Sequence, residues 1–403
     1  MKRLATVLAA AVLASACQSP APRAAVETTS ARIQRLLRET PLVDGHNDLM
    51  IHYHACGKDC PRGYNAYDIG GRVKGHADLP RWKIGGVGAQ LLNSGWLDDE
   101  PSLDGTLKGF AFTREMAVRY PDRVAIARTS ADVRAIHAQG RLAILLSLED
   151  PERLGTDEET VRRLASEGLR ADILAYNEPT ALADGHAGPM THGGLSPLGR
   201  AVVGWMQKYG ILVDLSHSSV DTARDVLDIA TAPVIFSHSS AAALCDVSRN
   251  VPDDVLRRIP ANGGIVMVSF VPEFTGKAFA DWYEGGDSYW ARLMERYKGD
   301  RAKVDAAMAL WERDNPMPAR PVIAAVADHI EYIRDVAGID HVELGSDFDG
   351  IDYTIDGLED VSKFPALLEE LARRGWSDAD LKKLAGENFL RVLDAADVRA
   401  SHG

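Results

Sequence analysis

Five apolar runs in this 403-residue chain each close on a side chain able to hold a metal ion. The runs span residues 41–48, 143–149, 211–217, 233–238 and 341–347, and they end in His46 with Asp48, Glu149, His217, His238 and Asp347. Uninterrupted apolar runs of this length read as buried parallel strands. When strand after strand carries an ionisable group at its carboxyl end, the economical fold is a (β/α)8 TIM barrel, because its strand ends converge on one face. Helical spacing over 198–209, 220–229 and 321–336 supplies the intervening helices, and Ser377 with Asp380 makes a capping-box-like helix start. The stretch 278–318 is too long for a simple connection and is rich in charge, Trp282, Tyr283, Tyr289, Trp290 and Trp311. It reads as a helical insertion, placed at the mouth of the site, at a dimer contact, or as an amphipathic surface pair.

Each motif has a plainer reading beside the functional one. His46 and Asp48 are two apart, so on an extended backbone they point to the same side. Glu149 ends a run without formal charge, where a carboxylate needs a metal or an arginine partner. His217 and His238 stand in two copies of Ser-His-Ser-Ser; a single core histidine would be unremarkable, but the repetition favours ligation. Asp347 lies in Gly-Ser-Asp-Phe-Asp-Gly, where Asp349 competes for its role and a turn-forming aspartate is the plain reading. Five ligands exceed what one tetrahedral zinc with an open position takes. Two metals sharing Glu149, about 3.5–4 Å apart around a bridging hydroxide, suit the set better. Asp347 is then left as a proton shuttle.

From about residue 40 to 393 the chain resembles the renal or membrane dipeptidases, zinc peptidases among the amidohydrolase-like barrels. The resemblance rests on residues 44–48, 194–199, 213–218, 237–240 with 248–250, and 345–350, supported by 357–360 and 386–391. It implies two zinc ions, one held by His46 and Asp48, the other by His217 and His238, with Glu149 bridging. It also implies Asp347 as the catalytic aspartate and Arg249 as the receiver of the dipeptide's free carboxylate, a fit that suits a guanidinium fork. L,L-dipeptides and, by analogy with relatives, L,D-dipeptides are the implied substrates, and a homodimer is a common state of such proteins. Two departures bear on the substrate. Tyr176 stands where relatives carry a histidine that steadies the oxyanion, and Val271 where they often carry tyrosine. His186 and His192, in the following glycine-rich loop, are candidates to supply the missing group. Two rival readings remain: the same chemistry on a modified or non-dipeptide substrate, and a metal-binding lipoprotein without turnover.

Lys2 and Arg3 precede a short apolar run to Ala14, too short to span a bilayer, and the pattern reads as a secretion signal over 1–16. The small residues before Cys17 resemble a lipoprotein cleavage site, with ordinary cleavage after Ala16 as the alternative. Lipidation of Cys17 would leave the protein exported and anchored to a bacterial membrane from its periplasmic side, with 17–30 as a flexible tether and 31–403 as one barrel domain. Cys56 and Cys60 could close a small disulfide in an oxidising compartment or remain thiols, and Cys245 reads as a small apolar residue. The formal charge is −13, and −15 once Lys2 and Arg3 leave with the signal, so nucleic acid is not an expected partner.

Overall fold

The computed structural model describes residues 27–54, 63–95 and 101–402. Nine strands lie in one sheet, and eight of them follow one another in parallel around a nearly closed barrel: β1 (Leu42–Asp44), β2 (Val87–Asn93), β4 (Leu142–Leu148), β5 (Leu169–Ile173), β6 (Leu212–Asp214), β7 (Ile235–Phe236), β8 (Ile265–Val268) and β9 (Val342–Leu344). The remaining strand, β3 (Val124–Ile126), pairs with the first half of β4, whose second half pairs with β5. Closure comes from Gly45 N, which donates to Leu344 O at 3.0 Å, and from a parallel bridge between Asn47 and Phe348. The fold is therefore the TIM barrel expected from the apolar runs.

Alternation along the strands sorts side chains into two cores. Ala89, Leu91, Ala143, Leu145, Ala171, Leu212 and Met267 belong to an inner cluster, which continues into Phe389, Leu390 and Leu393 of the last helix, Asn388–His402. Their neighbours on the other face, such as Leu92, Ile144, Leu146 and Val213, join the larger core under the surrounding helices. Those helices start where the chain offers a cap. Ser196 and Ser219 accept backbone N–H groups at the heads of Pro197–Lys208 and Val220–Ile229, and Ser377 does the same for Asp378–Lys382. The third predicted helix runs Ile323–Ala337. The first helix, Thr29–Glu39, is capped by Thr28, so Thr29 and Ser30, read from the sequence as the end of a tether, are helical, and Glu27 pairs with Arg35 beside them. The insertion is a helical hairpin, Lys277–Arg296 and Arg301–Asp314.

One interior contact is especially close, just below the barrel's carboxyl end. A Cβ at Gly45 would stand 2.4 Å from Ser237 O, and one at Gly345 would stand 1.8 Å from the same oxygen. The carbonyl before His238 thus fits only because two facing positions carry no side chain.

Cys17, Cys56 and Cys60 lie outside the described residues. Cys245 is buried and unpaired, in keeping with its reading as a small apolar residue. Among the described residues, no helix is long and apolar enough to cross a membrane.

Candidate metal centre

Local backbone chemistry aims the histidines and the aspartate inward. Asp214 Oδ1 accepts from Ser216 N and from Ser237 N, each at 3.0 Å, and so ties the ends of β6 and β7 together. Ser216 Oγ accepts from His238 N at 3.0 Å. Asp44 does the equivalent for β1 and β9, accepting from Ser346 N and Ser346 Oγ, both at 2.7 Å. Burial pushes the Asp44 carboxyl up to about 6, although the Ser346 hydrogen bonds oppose the shift. Immediately after these two serines the chain turns into the left-handed region, with φ of 65° at His217 and 66° at Asp347. A positive φ is costly for either residue type, and such strain concentrates at functional sites.

The six predicted residues converge. Glu149 Oε1 lies 2.9 Å from His217 Nε2 and 3.2 Å from His238 Nε2, while Glu149 Oε2 lies 3.4 Å from His46 Nε2. His46 Nε2 is 3.2 Å from Asp48 Oδ2, and the Nε2 atoms of His217 and His238 are 2.9 Å apart. Three overlapping groups have ligand atoms within 4.8 Å of one another: His46, Asp48 and Glu149; Glu149, His217 and His238; and His46, His238 and Asp347. Glu149 is the member shared by the first two groups.

Electrostatics explain why this cluster calls for cations. Glu149 and Asp347 share the influence of one guanidinium, Arg249, and desolvated carboxylates are costly unless paired or metal-bound. Burial raises the Glu149 carboxyl, though His46 pulls it down. Asp347 keeps a partly open face, yet dense surroundings push its carboxyl well up, with His46 and Arg249 opposing and Asp48 and Glu149 assisting. Burial depresses His217 and His238, helped by Arg249, so both offer neutral nitrogen. At His46 burial acts downward too, but Glu149 and Asp48 outweigh it and raise the imidazole. The acidic half of the cluster draws positive charge to itself, and oxygen with neutral imidazole is a donor set that suits zinc.

Outer partners hold the histidines in place. Asn177 Oδ1 accepts from His217 Nδ1 and from His186 Nε2, each at 2.9 Å, and Ser237 Oγ pairs with His238 Nδ1 at 2.8 Å. Asn93 Nδ2, at the end of β2, donates to Asp48 Oδ1 at 2.9 Å and to Glu149 Oε2 at 3.4 Å. Neither Asn93 nor Asn177 was marked by the sequence; both are neutral, and only their positions at a strand end and beside Tyr176 could have drawn attention to them.

Tyr176 stacks on the His217 ring, with centroids 4.5 Å apart, and is 38% exposed at the mouth. The negative charge of Glu149, and then burial, keep its phenol protonated. Arg249 is buried, lies over Phe274 at 5.1 Å, and has no hydrogen-bond partner for Nη1 or Nη2 among the described residues. His186 reaches the site through Asn177 and Ser248, and burial lowers it to about 3. His192 does not: its ring meets Thr180 O and its backbone meets Asp184, a tie within the loop. Val271 is buried and presents no polar side-chain atom. Asp349, the competitor of Asp347, faces another way, toward His52 Nε2 at 2.9 Å and His76 N at 2.5 Å.

The pattern of the membrane dipeptidase family (peptidase family M19) matches residues 30–402. Dipeptidase verJ of Clonostachys rogersoniana is 34% identical over 378 residues, covering 90% of this chain and 86% of that protein. The crystal structure of the probable dipeptidase PvdM from Pseudomonas aeruginosa superposes with a TM-score of 0.78 at 25% identity, covering 92% of this chain and 99% of the other. A metallopeptidase from Rhodobacter sphaeroides, solved with a phosphinate mimic of the dipeptide L-Ala-D-Ala, gives a TM-score of 0.70 at 25% identity, with coverage of 89% and 99%. The chain belongs to the membrane dipeptidase family and is a metallodipeptidase.

Proposed function

We propose that the protein hydrolyses L,L- and L,D-dipeptides with two zinc ions, one held by His46 and Asp48, the other by His217 and His238, with Glu149 shared. The observation that carries this reading is a buried guanidinium with two unpaired Nη groups set beside the carboxylate–imidazole cluster. A free α-carboxylate satisfies Arg249 bidentately and so measures the distance from the peptide bond to the end of the substrate. When bound, the metals supply Lewis acidity toward the scissile carbonyl and lower the pKa of water. Asp347, only partly buried, accepts a proton at its carboxylate and returns it to the leaving amine. Tyr176 O–H is a donor at the mouth for a carbonyl oxygen that gains charge. The relative solved with an L-Ala-D-Ala mimic supports the inclusion of a D-residue at the carboxyl end.

The test is hydrolysis of a panel of L,L- and L,D-dipeptides, with carboxyl-amidated counterparts, before and after chelation and zinc return. We expect cleavage of free dipeptides only, lost on chelation and restored with about two zinc per chain. Amidated dipeptides cleaved as fast as free ones would remove Arg249 from the reading. Tyr176 in the position where relatives carry histidine favours a second reading, action on a modified peptide. Two bound metals without cleavage of any simple dipeptide would select it.

We further propose export and lipid anchoring at Cys17, on the strength of the basic, apolar and small residues that precede it. A fatty-acid label on the expressed protein, lost in Cys17→Ser, is the expected result; labelling that survives the substitution would place the lipid elsewhere.

A further inference from the structure

The helical hairpin between β8 and β9 borders, with the segment that follows β9, an open cavity of about 300 Å3. Trp282, Tyr283, Trp311 and Tyr353 form its aromatic walls, and Asp287, Glu312 and Asp352 bring carboxylates to it. The walls are fixed. Trp282 Nε1 donates to Asn315 O at 2.9 Å, and its ring meets Tyr353 at 5.6 Å and Trp311 at 6.0 Å between centroids. Tyr283 stands perpendicular to Tyr353. Rings set at such angles bound a space instead of filling it as a stack.

The sequence makes room for one wall at a conformational cost. Gly285 and Gly286 lie in the middle of a 20-residue helix, where glycine is disfavoured. A Cβ on Gly286 would stand 3.1 Å from the Trp311 ring and one on Gly285 would stand 3.6 Å from it. The paired glycines seat the indole against the helix.

Charge then selects the ligand. Among the described residues, Asp287, Glu312 and Asp352 form no ion pair, and all three are exposed. Trp290, which also lines the cavity, already carries Arg301 over its ring at 5.3 Å, whereas among the described residues no cation lies over Trp282, Tyr283, Trp311 or Tyr353. Aromatic faces with unpaired carboxylates attract organic cations, whose weak hydration makes contact with a ring favourable. A small metal ion would keep its water and favour oxygen ligands. The volume is enough for a group of several heavy atoms. We propose that this cavity binds an alkylammonium cation. It lies on the end of the barrel that carries the metal centre, since Asp352 follows Asp347 by five residues, but its occupation does not depend on the dipeptidase reading.

Titration of the full chain by intrinsic tryptophan fluorescence and calorimetry tests this. The probes are tetramethylammonium and Nα-acetyl-lysine methylamide, each paired with a neutral counterpart, neopentyl alcohol and Nα-acetyl-norleucine methylamide. We expect saturable binding of at least one cation, about tenfold or more tighter than its neutral counterpart. The double variant Asp352→Asn, Glu312→Gln, both at exposed positions, should weaken it by a similar factor with an unchanged circular dichroism spectrum. Binding of the quaternary ion alone would identify a small free alkylammonium compound as the ligand, and binding of the lysine probe a peptide side chain. Absence of saturation by both cations, equal binding of the neutral probes, or unchanged affinity in the double variant would overturn the proposal. None of these outcomes alters the dipeptide assay.

Discussion

Asp347→Asn is expected to lower kcat by about 10²- to 10⁴-fold while the variant retains its metal and its KM, because a positioned proton carrier contributes that much and asparagine cannot take up the proton. The substitution is nearly isosteric, and asparagine tolerates the left-handed backbone held at this position. The barrel should therefore keep its thermal stability. Asp347 also has a carboxylate oxygen within 4.8 Å of ligand atoms of His46 and His238. Metal analysis of the purified variant separates a lost proton carrier from a lost ligand. Full turnover with full metal content would remove Asp347 from the mechanism.

Glu149→Gln should have the larger effect on binding. Glu149 is the residue common to both halves of the proposed pair, with one carboxylate oxygen toward His217 and His238 and the other toward His46. A neutral amide offers one oxygen and no charge. Loss of a partner outside the coordination sphere already costs roughly 10- to 100-fold in affinity, so removal of the shared carboxylate should exceed about 100-fold. Calorimetry should show both zinc affinities reduced and hydrolysis lost. Metal-free protein should behave differently: burial disfavours the ionised Glu149 carboxyl, so the neutral variant should match or exceed the metal-free wild type in Tm. Zinc should then raise the Tm of the wild type much more than that of the variant. Equal zinc-dependent shifts in both would show that Glu149 does not hold the metals.

The legible part of the fold was the set of strands whose apolar runs end in ionisable groups. β5 and β2 were harder to see for opposite reasons. In β5, Arg170 and Asp172 interrupt a run of only five residues, and both are buried; Arg170 donates through Nη2 to Asp397 of the last helix, a partner 227 residues away. In β2, Gly88 and Gln90 break the apolar pattern, yet Gln90 accepts from Trp82 Nε1 and donates to Asp44 O inside the protein. Long-range partners of this kind leave no periodic trace. The site was more legible than its supports: His46, Asp48, Glu149, His217, His238 and Asp347 come together, while Asn93 and Asn177 emerge only once the strands are in register. Tyr176 was placed at the mouth by its alignment with a family position, but its stacking on His217 required the loop geometry.

The two glycines that grip Ser237 O carry a consequence for anyone who would alter this enzyme's scope. His46 and Asp347 follow Gly45 and Gly345 by one and two residues, and His238 follows the gripped carbonyl, so the spacing of the carboxylate–imidazole cluster is tied to the layer beneath it. Saturation of the mouth by mutagenesis would change what the pocket touches without changing how far apart its chemistry sits. A roomier or tighter cage has to be sought among residues that never meet the substrate, and the absence of side chains at 45 and 345 leaves only one direction of travel, outward.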